Sequence, residues 1–287
     1  MQAKQTETPQ LLTIPYSHYV ELARWSWLLN DKTFTESWYM PGQHVLPLLS
    51  LRVAGPTQHL SATSFVTKSG RDPNTLSQSR AQEARSTAVP ALVLPSGEVL
   101  TDSWMIANAS GLEPLTDTAI RKVYDEELGP LARQFAYCTF LKPQHRKYWD
   151  ALLCHQQGWL WLILYFFIGG YIHAIMSKLF GLGKSELLAE CEDKLDVLFE
   201  RIERERLPKN SRYINGDKIS VEDVALCSLT APILAPPKYC GGNYLHIFAG
   251  VEATDAGYHK KVERYRQTKL GKYVMQFYED HREMRML

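Results

Sequence analysis

Residues 89–103 read VPALVLPSGEVLTDS, and the way this stretch is parsed decides the fold. Ala91 to Leu94 is a short apolar run of strand character. Pro95-Ser96-Gly97-Glu98 is turn chemistry, and Val99 to Thr101 returns as a second strand. Asp102 or Ser103 then supplies the small polar side chain that caps a helix beginning at Trp104. The segment is therefore a β-hairpin leading directly into a helix.

Upstream, residues 13–25 read TIPYSHYVELARW. Leu11 to Ile14 is a short apolar run stopped by Pro15, which predicts a buried strand. From Tyr19 to Leu29 the periodicity turns helical. Val20, Ala23, Trp27 and Leu28 can share a face, and Asn30 with Asp31 ends the pattern. Ser17 or His18 opens this helix, and Glu21 falls in its first turn, where the helix dipole favours a carboxylate. Residues 31–88 are less regular. Val45 to Val53 is apolar enough for a strand or a short helix. Residues 61–88, rich in Ser, Thr, Gln and Arg, read as a surface excursion with one helix near Leu76 to Arg85. The first hundred residues thus predict strand, helix, irregular stretch, hairpin, helix: an α/β unit on a small sheet.

Downstream, the composition changes at residues 111–118, GLEPLTDT, and beyond Pro114 the chain reads as helical. The clearest segments are Ala119 to Leu141 and Lys184 to Arg206. In the second, Leu187, Leu188, Cys191, Leu195, Leu198 and Phe199 keep helical spacing, with charges on the opposite face. Residues 159–180, WLWLILYFFIGGYIHAIMSKLF, carry no charge before Lys178 and approach transmembrane length. Gly169, Gly170 and His173 interrupt the run. The preferred reading is a buried helix, or two helices broken at the glycines, ahead of membrane or lipid association. Trp159, Trp161, Phe166 and Tyr171 are candidates to line an apolar acceptor site, and His173 reads as a satisfied core residue.

Composition narrows the function classes. At 287 residues and 45% hydrophobic, the chain can form one large domain or two medium ones. A net charge of +1, with no clustering of basic and aromatic residues, argues against a nucleic-acid partner. The five cysteines, at 138, 154, 191, 227 and 240, form no CxxC and no zinc spacing, so no metal site is expected and a reducing compartment is. Met1 to Gln10 has the pattern of neither a signal nor a transit peptide, which gives a cytoplasmic expectation.

A small βαβ-ββα unit followed by a helical half resembles the cytosolic glutathione transferase family, and two motifs strengthen the likeness. VPALVLPSGEVLTDS is similar to that family's thioredoxin-like signature, in which a cis Val-Pro precedes the hairpin and an acidic residue plus Ser follow it. The matching residues here are Val89, Pro90, Asp102 and Ser103. INGDKISVEDVAL, residues 214–226, is similar to the family's buried Gly-Asp-x-x-Ser-x-x-Asp helix start, with Ser220 and Asp223 as a capping box. The resemblance covers roughly residues 10–110 and 118–235, while 31–88 and 145–182 fit poorly. It implies an α/β plus all-α fold. A thioredoxin-like domain would occupy residues 1–112, with an insertion at about 31–88, and an all-helical domain residues 113–287.

The resemblance also implies chemistry. Glutathione would be the co-substrate, and its thiol must be held as thiolate. A hydroxyl donor at a helix N-terminus does this. Serine-type members place the active Ser seven positions before a helical Arg, as Ser17 precedes Arg24. Tyr16 is the second candidate and Tyr19 the third. The competing reading makes Ser17 an ordinary N-cap, and His18 reads as an exposed turn residue. By the same resemblance, Val89 and Pro90 would present backbone to the cysteinyl part of glutathione. Asp102 and Ser103 would meet its γ-glutamyl end, unless they merely cap. For the glycyl carboxylate the choice between Arg85, Gln43 and His44 stays open. With no cysteine at the first helix start, covalent disulfide exchange is disfavoured. The expectation is a homodimeric, serine-type-like glutathione transferase acting on a hydrophobic electrophile. The alternatives are a non-catalytic binding or structural protein on the same fold, or a glutathione-dependent isomerase or dehalogenase.

Overall fold

A computed structural model of the chain describes residues 8–54, 89–155, 157–179 and 185–284. It divides into two compact units. The first holds residues up to Thr116 together with Ile219–Val224, and the second holds Asp117–Lys218 and the residues from Ala225 onward. The fold class is the expected one: a small mixed sheet near the N-terminus and a helical remainder.

The first unit is built on strands β1 (Gln10–Thr13), β2 (Thr35–Trp38), β3 (Ala91–Val93) and β4 (Val99–Leu100), in the spatial order β2-β1-β3-β4. β1 runs parallel to β2 and antiparallel to β3, which pairs antiparallel with β4. The apolar residues of β1 divide between the faces, as a period of two requires. Leu11, opposite Leu92, packs with Ala23, Trp27, Leu100 and Ile106. Leu12, opposite Ala91, packs with Ile14, Leu48 and Val89. The hairpin turn closes through Leu94 N–H to the Glu98 carbonyl at 2.8 Å. Gly97 sits at φ +86°, a conformation that favours glycine.

Helix α1 (His18–Leu28) and helix α3 (Ser103–Asn108) lie on the Leu11 face. They are stitched together by Trp27 Nε1–H to the Ile106 carbonyl, Asn30 Nδ2–H to the Ser110 carbonyl and Lys32 Nζ–H to the Ala109 carbonyl, each 2.7 Å. The last two bonds satisfy carbonyls that α3 leaves open at its C-terminal end. Helix α2 covers Val45–Ala54, which resolves the choice between strand and helix there. Strand β2 was not located from the sequence. Three of its four residues, Thr35, Glu36 and Ser37, are polar, and it occupies a sheet edge. The helix expected near Leu76 to Arg85 lies outside the described residues.

The second unit is helical. Helix α4 (Thr118–Val123) passes through a π-helical turn (Tyr124–Leu128) into α5 (Gly129–Phe140), so the segment expected as one helix carries an interruption. Then follow α6 (Arg146–Cys154), α7 (Trp159–Leu179), α8 (Ser185–Glu205), α9 (Val221–Leu234), α10 (Leu245–Thr254), α11 (Ala256–Gln267) and α12 (Lys269–His281). In α8 the buried residues Cys191, Leu195, Leu198 and Phe199 form the expected apolar face. The ring of Phe199 meets Tyr265 at 4.9 Å, and Phe135 meets the same ring edge-on at 5.8 Å. Ion pairs tie the polar side of α8 to α11, through Glu192 with Lys261 and Asp196 with Arg264. Helix α9 opens with the expected capping box, and Val221 N–H donates to the Glu113 carbonyl at 2.9 Å within the first unit.

Helix α7 departs from its expectation. It runs unbroken through Gly169 and Gly170, and it is not buried. Two interior glycines cost a helix about 2 kcal/mol relative to alanines, too little to stop a run this long. Trp159, Phe166 and Tyr171 are exposed, while Trp161 turns inward, so the four aromatics do not share one lining.

Candidate functional site

The strand directions bring the candidate residues to one end of the sheet. β1 and β4 run the same way and β3 runs oppositely. The exit of β1, the entry of β3 and the exit of β4 therefore share an edge. Tyr16 and Ser17 follow β1, Val89 and Pro90 precede β3, and Asp102 and Ser103 follow β4.

Ser17 is the N-cap of α1, with extended backbone at φ −74° and ψ 130°. Its backbone does what a cap should. Its N–H donates to the Ile14 carbonyl at 3.0 Å, and its carbonyl accepts the Glu21 N–H at 2.9 Å. Its side chain makes no capping hydrogen bond. Ser17 is half-buried, and among the described residues its hydroxyl makes no hydrogen bond, which leaves it uncommitted at the positive end of an 11-residue helix. Ser17 is thus an N-cap by its backbone, as the competing reading had it, with its side chain taking no part in the capping.

The neighbours of Ser17 are placed differently from one another. The ring of Tyr16 packs against the cluster that holds Leu12, Ile14 and Val89. His18 is buried within the first turn of α1, not exposed in a turn as expected, because the helix begins one residue earlier than its apolar periodicity indicates. Its ring lies 4.5 Å from that of Tyr19.

Arg24 holds the β1–α1 junction from below. Its guanidinium is buried and engages Glu36 through both Nε (2.9 Å) and Nη2 (2.5 Å), and Glu21 through Nη1 (2.8 Å). Nη2 also donates to the Pro15 carbonyl at 3.2 Å, two residues before Ser17. Thr13 Oγ1 donates to the same Glu36 carboxylate at 2.7 Å. One planar cation thus joins α1, β2 and the loop that presents Ser17. Glu36 was missed from the sequence, since it stands in a stretch without periodicity. Glu21, expected to answer the helix dipole, is fully buried against Arg24.

The Val89–Pro90 peptide is cis, as the resemblance implied, and both residues are buried. Asp102 is the N-cap of α3, its Oδ1 accepting the Trp104 N–H at 3.1 Å. Ser103 is the first helical residue, and its hydroxyl points to the same Oδ1 at 3.4 Å. Gln43 and His44 are occupied by their own turn. Gln43 Oε1 accepts the Met40 N–H at 2.9 Å. His44 Nδ1 lies 3.3 Å from both the Gly42 N–H and the Met40 carbonyl. Burial lowers the His44 pKa, partly opposed by the Met40 carbonyl, which makes it a poor permanent cation for a carboxylate. Arg85 lies outside the described residues.

All five cysteines lie in the second unit and are free thiols. Burial pushes the Cys191 thiol up to about 12 and raises Cys138 and Cys154, the opposite of what a nucleophilic thiol needs.

No protein-family model matches this sequence, and no curated protein matches it. Solved structures do. Glutathione transferase GSTFuA3 from Phanerochaete chrysosporium is 16% identical, with 98% of this chain and 99% of that one covered, at a TM-score of 0.55. Glutathione transferase GSTFuA2 from the same organism is 15% identical, with 97% of this chain and 100% of that one covered, at a TM-score of 0.52. The two strands and helix of residues 89–108, the cis Val89–Pro90 bond and the boxed start of α9 thus stand in a chain that has the glutathione transferase fold.

Proposed function

We propose that the first unit binds glutathione at the sheet edge described above, and that the Ser17 hydroxyl donates a hydrogen bond to its thiolate. The single observation behind this reading is the uncommitted Ser17 hydroxyl at the N-terminus of α1. The helix dipole and the first-turn N–H groups favour an anion there, and a hydroxyl donor adds a directed bond. The thiolate then attacks an electrophilic, apolar acceptor: a new C–S bond forms and the leaving group departs with its electron pair. Val89 offers backbone to the cysteinyl portion of the tripeptide in the manner of an added strand, and Asp102 with Ser103 meets the γ-glutamyl end.

The test is retention on immobilised glutathione, followed by turnover of an activated aryl chloride by wild type and Ser17→Ala. The variant is expected to lose about 10²-fold in kcat/KM, the usual cost of one donor to a reacting anion. Its pH profile should shift upward, towards the free thiol pKa of roughly 8.5. Binding with no turnover in either protein would leave a glutathione-binding protein without transferase chemistry. Loss of both would sink the reading. Because Tyr16 packs in the same cluster as Val89, full turnover in Ser17→Ala would transfer the donor role to Tyr16.

A further inference from the structure

Helix α7 is apolar on almost every side and, among the described residues, packs on one. Its inward stripe contains Trp161, Tyr165, Gly169, Ile172 and Met176, spaced by three and four residues, as one face of a helix should be. Two bonds fix this stripe to α6: Tyr165 OH to Asp150 at 2.5 Å and Trp161 Nε1–H to the Leu153 carbonyl at 3.2 Å. The opposite side presents Phe166 (83% exposed), Phe167 (75%), Tyr171 (71%) and Trp159 (68%), with Leu160 and Ile163 beside them. At 3.6 residues per turn, the exposed apolar side chains from Trp159 to Ile175 cover about 220° of the helix circumference.

A buried core helix does not look like this, because a core helix has packed neighbours around it. A seam with a second copy does not require it either, since a two-helix seam uses a stripe of about 100° and would leave the rest in water. An apolar solvent covers the whole arc. The pattern of charge agrees: residues 159–177 hold none, and Lys178 stands at the end, where its ammonium can reach a phosphate while its stem stays with the apolar surface.

The surrounding packing excludes a simple crossing. Glu127, before α7, pairs with Arg201, after it, at 2.7 Å, and Cys191 Sγ contacts the Leu131 carbonyl at 3.5 Å. The segments on both sides of α7 belong to one packed unit and must stay on one side of a bilayer. We infer that α7 is an in-plane membrane anchor: its packed stripe remains on the protein, and its exposed arc sinks into the acyl region of a single leaflet.

The full-length protein, mixed with phosphatidylcholine vesicles with and without phosphatidylserine, is expected to float with both and to stay bound in high salt. The double variant Ile163→Gln, Phe167→Gln alters only exposed side chains and should fold and melt like wild type. Its floated fraction should fall at least about tenfold, given the depth-dependent cost of polar groups in lipid. Glycosylation acceptor sites placed on either side of α7 should both stay unmodified during synthesis with microsomes. Modification of one side only would show a crossing and overturn the inference. Failure of the wild type to float would also overturn it. A wild-type dimer that ignores vesicles, and that the same variant dissociates, would assign the face to a second copy instead. None of these readouts involves glutathione, so they stand or fall independently of Ser17.

Discussion

Among the described residues, α1 and α9 both begin with serine at the N-cap, and they use it in opposite ways. At the start of α9, Ser220 Oγ donates to Asp223 Oδ2 at 2.6 Å, Ser220 N–H donates to the same oxygen at 2.8 Å, and Asp223 N–H reaches back to Ser220 Oγ at 3.4 Å. The box is closed and both side chains are buried. At the start of α1 the residue three positions beyond the serine is Val20, which cannot reciprocate, and the Ser17 hydroxyl stays out of the helix. The same residue type at the same position is structural in one case and available in the other. The difference is what else holds the turn. The α9 start is boxed by its own side chains beside the Val221 N–H bond to the Glu113 carbonyl, whereas the α1 start is fastened by Arg24 through the Pro15 carbonyl and Glu36.

This contrast can be broken by substitution. The largest effect is expected from Arg24→Met, which leaves two buried carboxylates without their cation. Urea unfolding should show a loss of about 3–5 kcal/mol, and a loss below about 1 kcal/mol would mean that Arg24 does not fasten the loop. Asp223→Ala removes both bonds to Oδ2, leaving only the backbone N–H to Ser220 Oγ, and should cost about 2 kcal/mol in the same assay. Asp102→Ala removes the capping bond to Trp104 N–H and the longer contact from the Ser103 hydroxyl, and should cost about 1 kcal/mol. Ser17→Ala should be the mildest for stability, below about 0.5 kcal/mol, although it is the variant expected to lose turnover. If Ser17→Ala destabilised the protein as much as Asp223→Ala, the two helix starts would be equivalent and Ser17 would be a cap.

The parts of the fold that could be read from sequence are those whose signal is local. Leu11 to Ile14, the Pro95–Glu98 turn and the Ser220/Asp223 box each carry their pattern within a few residues, and each appears within a residue or so of its expected place. Strand β2 does not, because Thr35, Glu36 and Ser37 become a strand by pairing with β1, not by any preference of their own. The burial expected of α7 failed for a related reason: apolarity reports a dislike of water, and protein and lipid satisfy it equally. At the site, position was legible and commitment was not. The spacing of Ser17 and Arg24 singled both out, but it is folding that leaves the serine hydroxyl out of the cap and brings the arginine to Glu36.

The Arg24 tie also bears on the thermodynamics of whatever binds beside Ser17. Surface loops usually surrender conformational freedom when a ligand arrives, and that ordering subtracts from affinity. Here the backbone around Pro15 is already held by a buried guanidinium and by the first bonds of α1. Its ordering is settled when the chain folds. A ligand seated there meets a rigid wall, and its entropy change on binding should come from its own immobilisation and from released water, with little contribution from this loop.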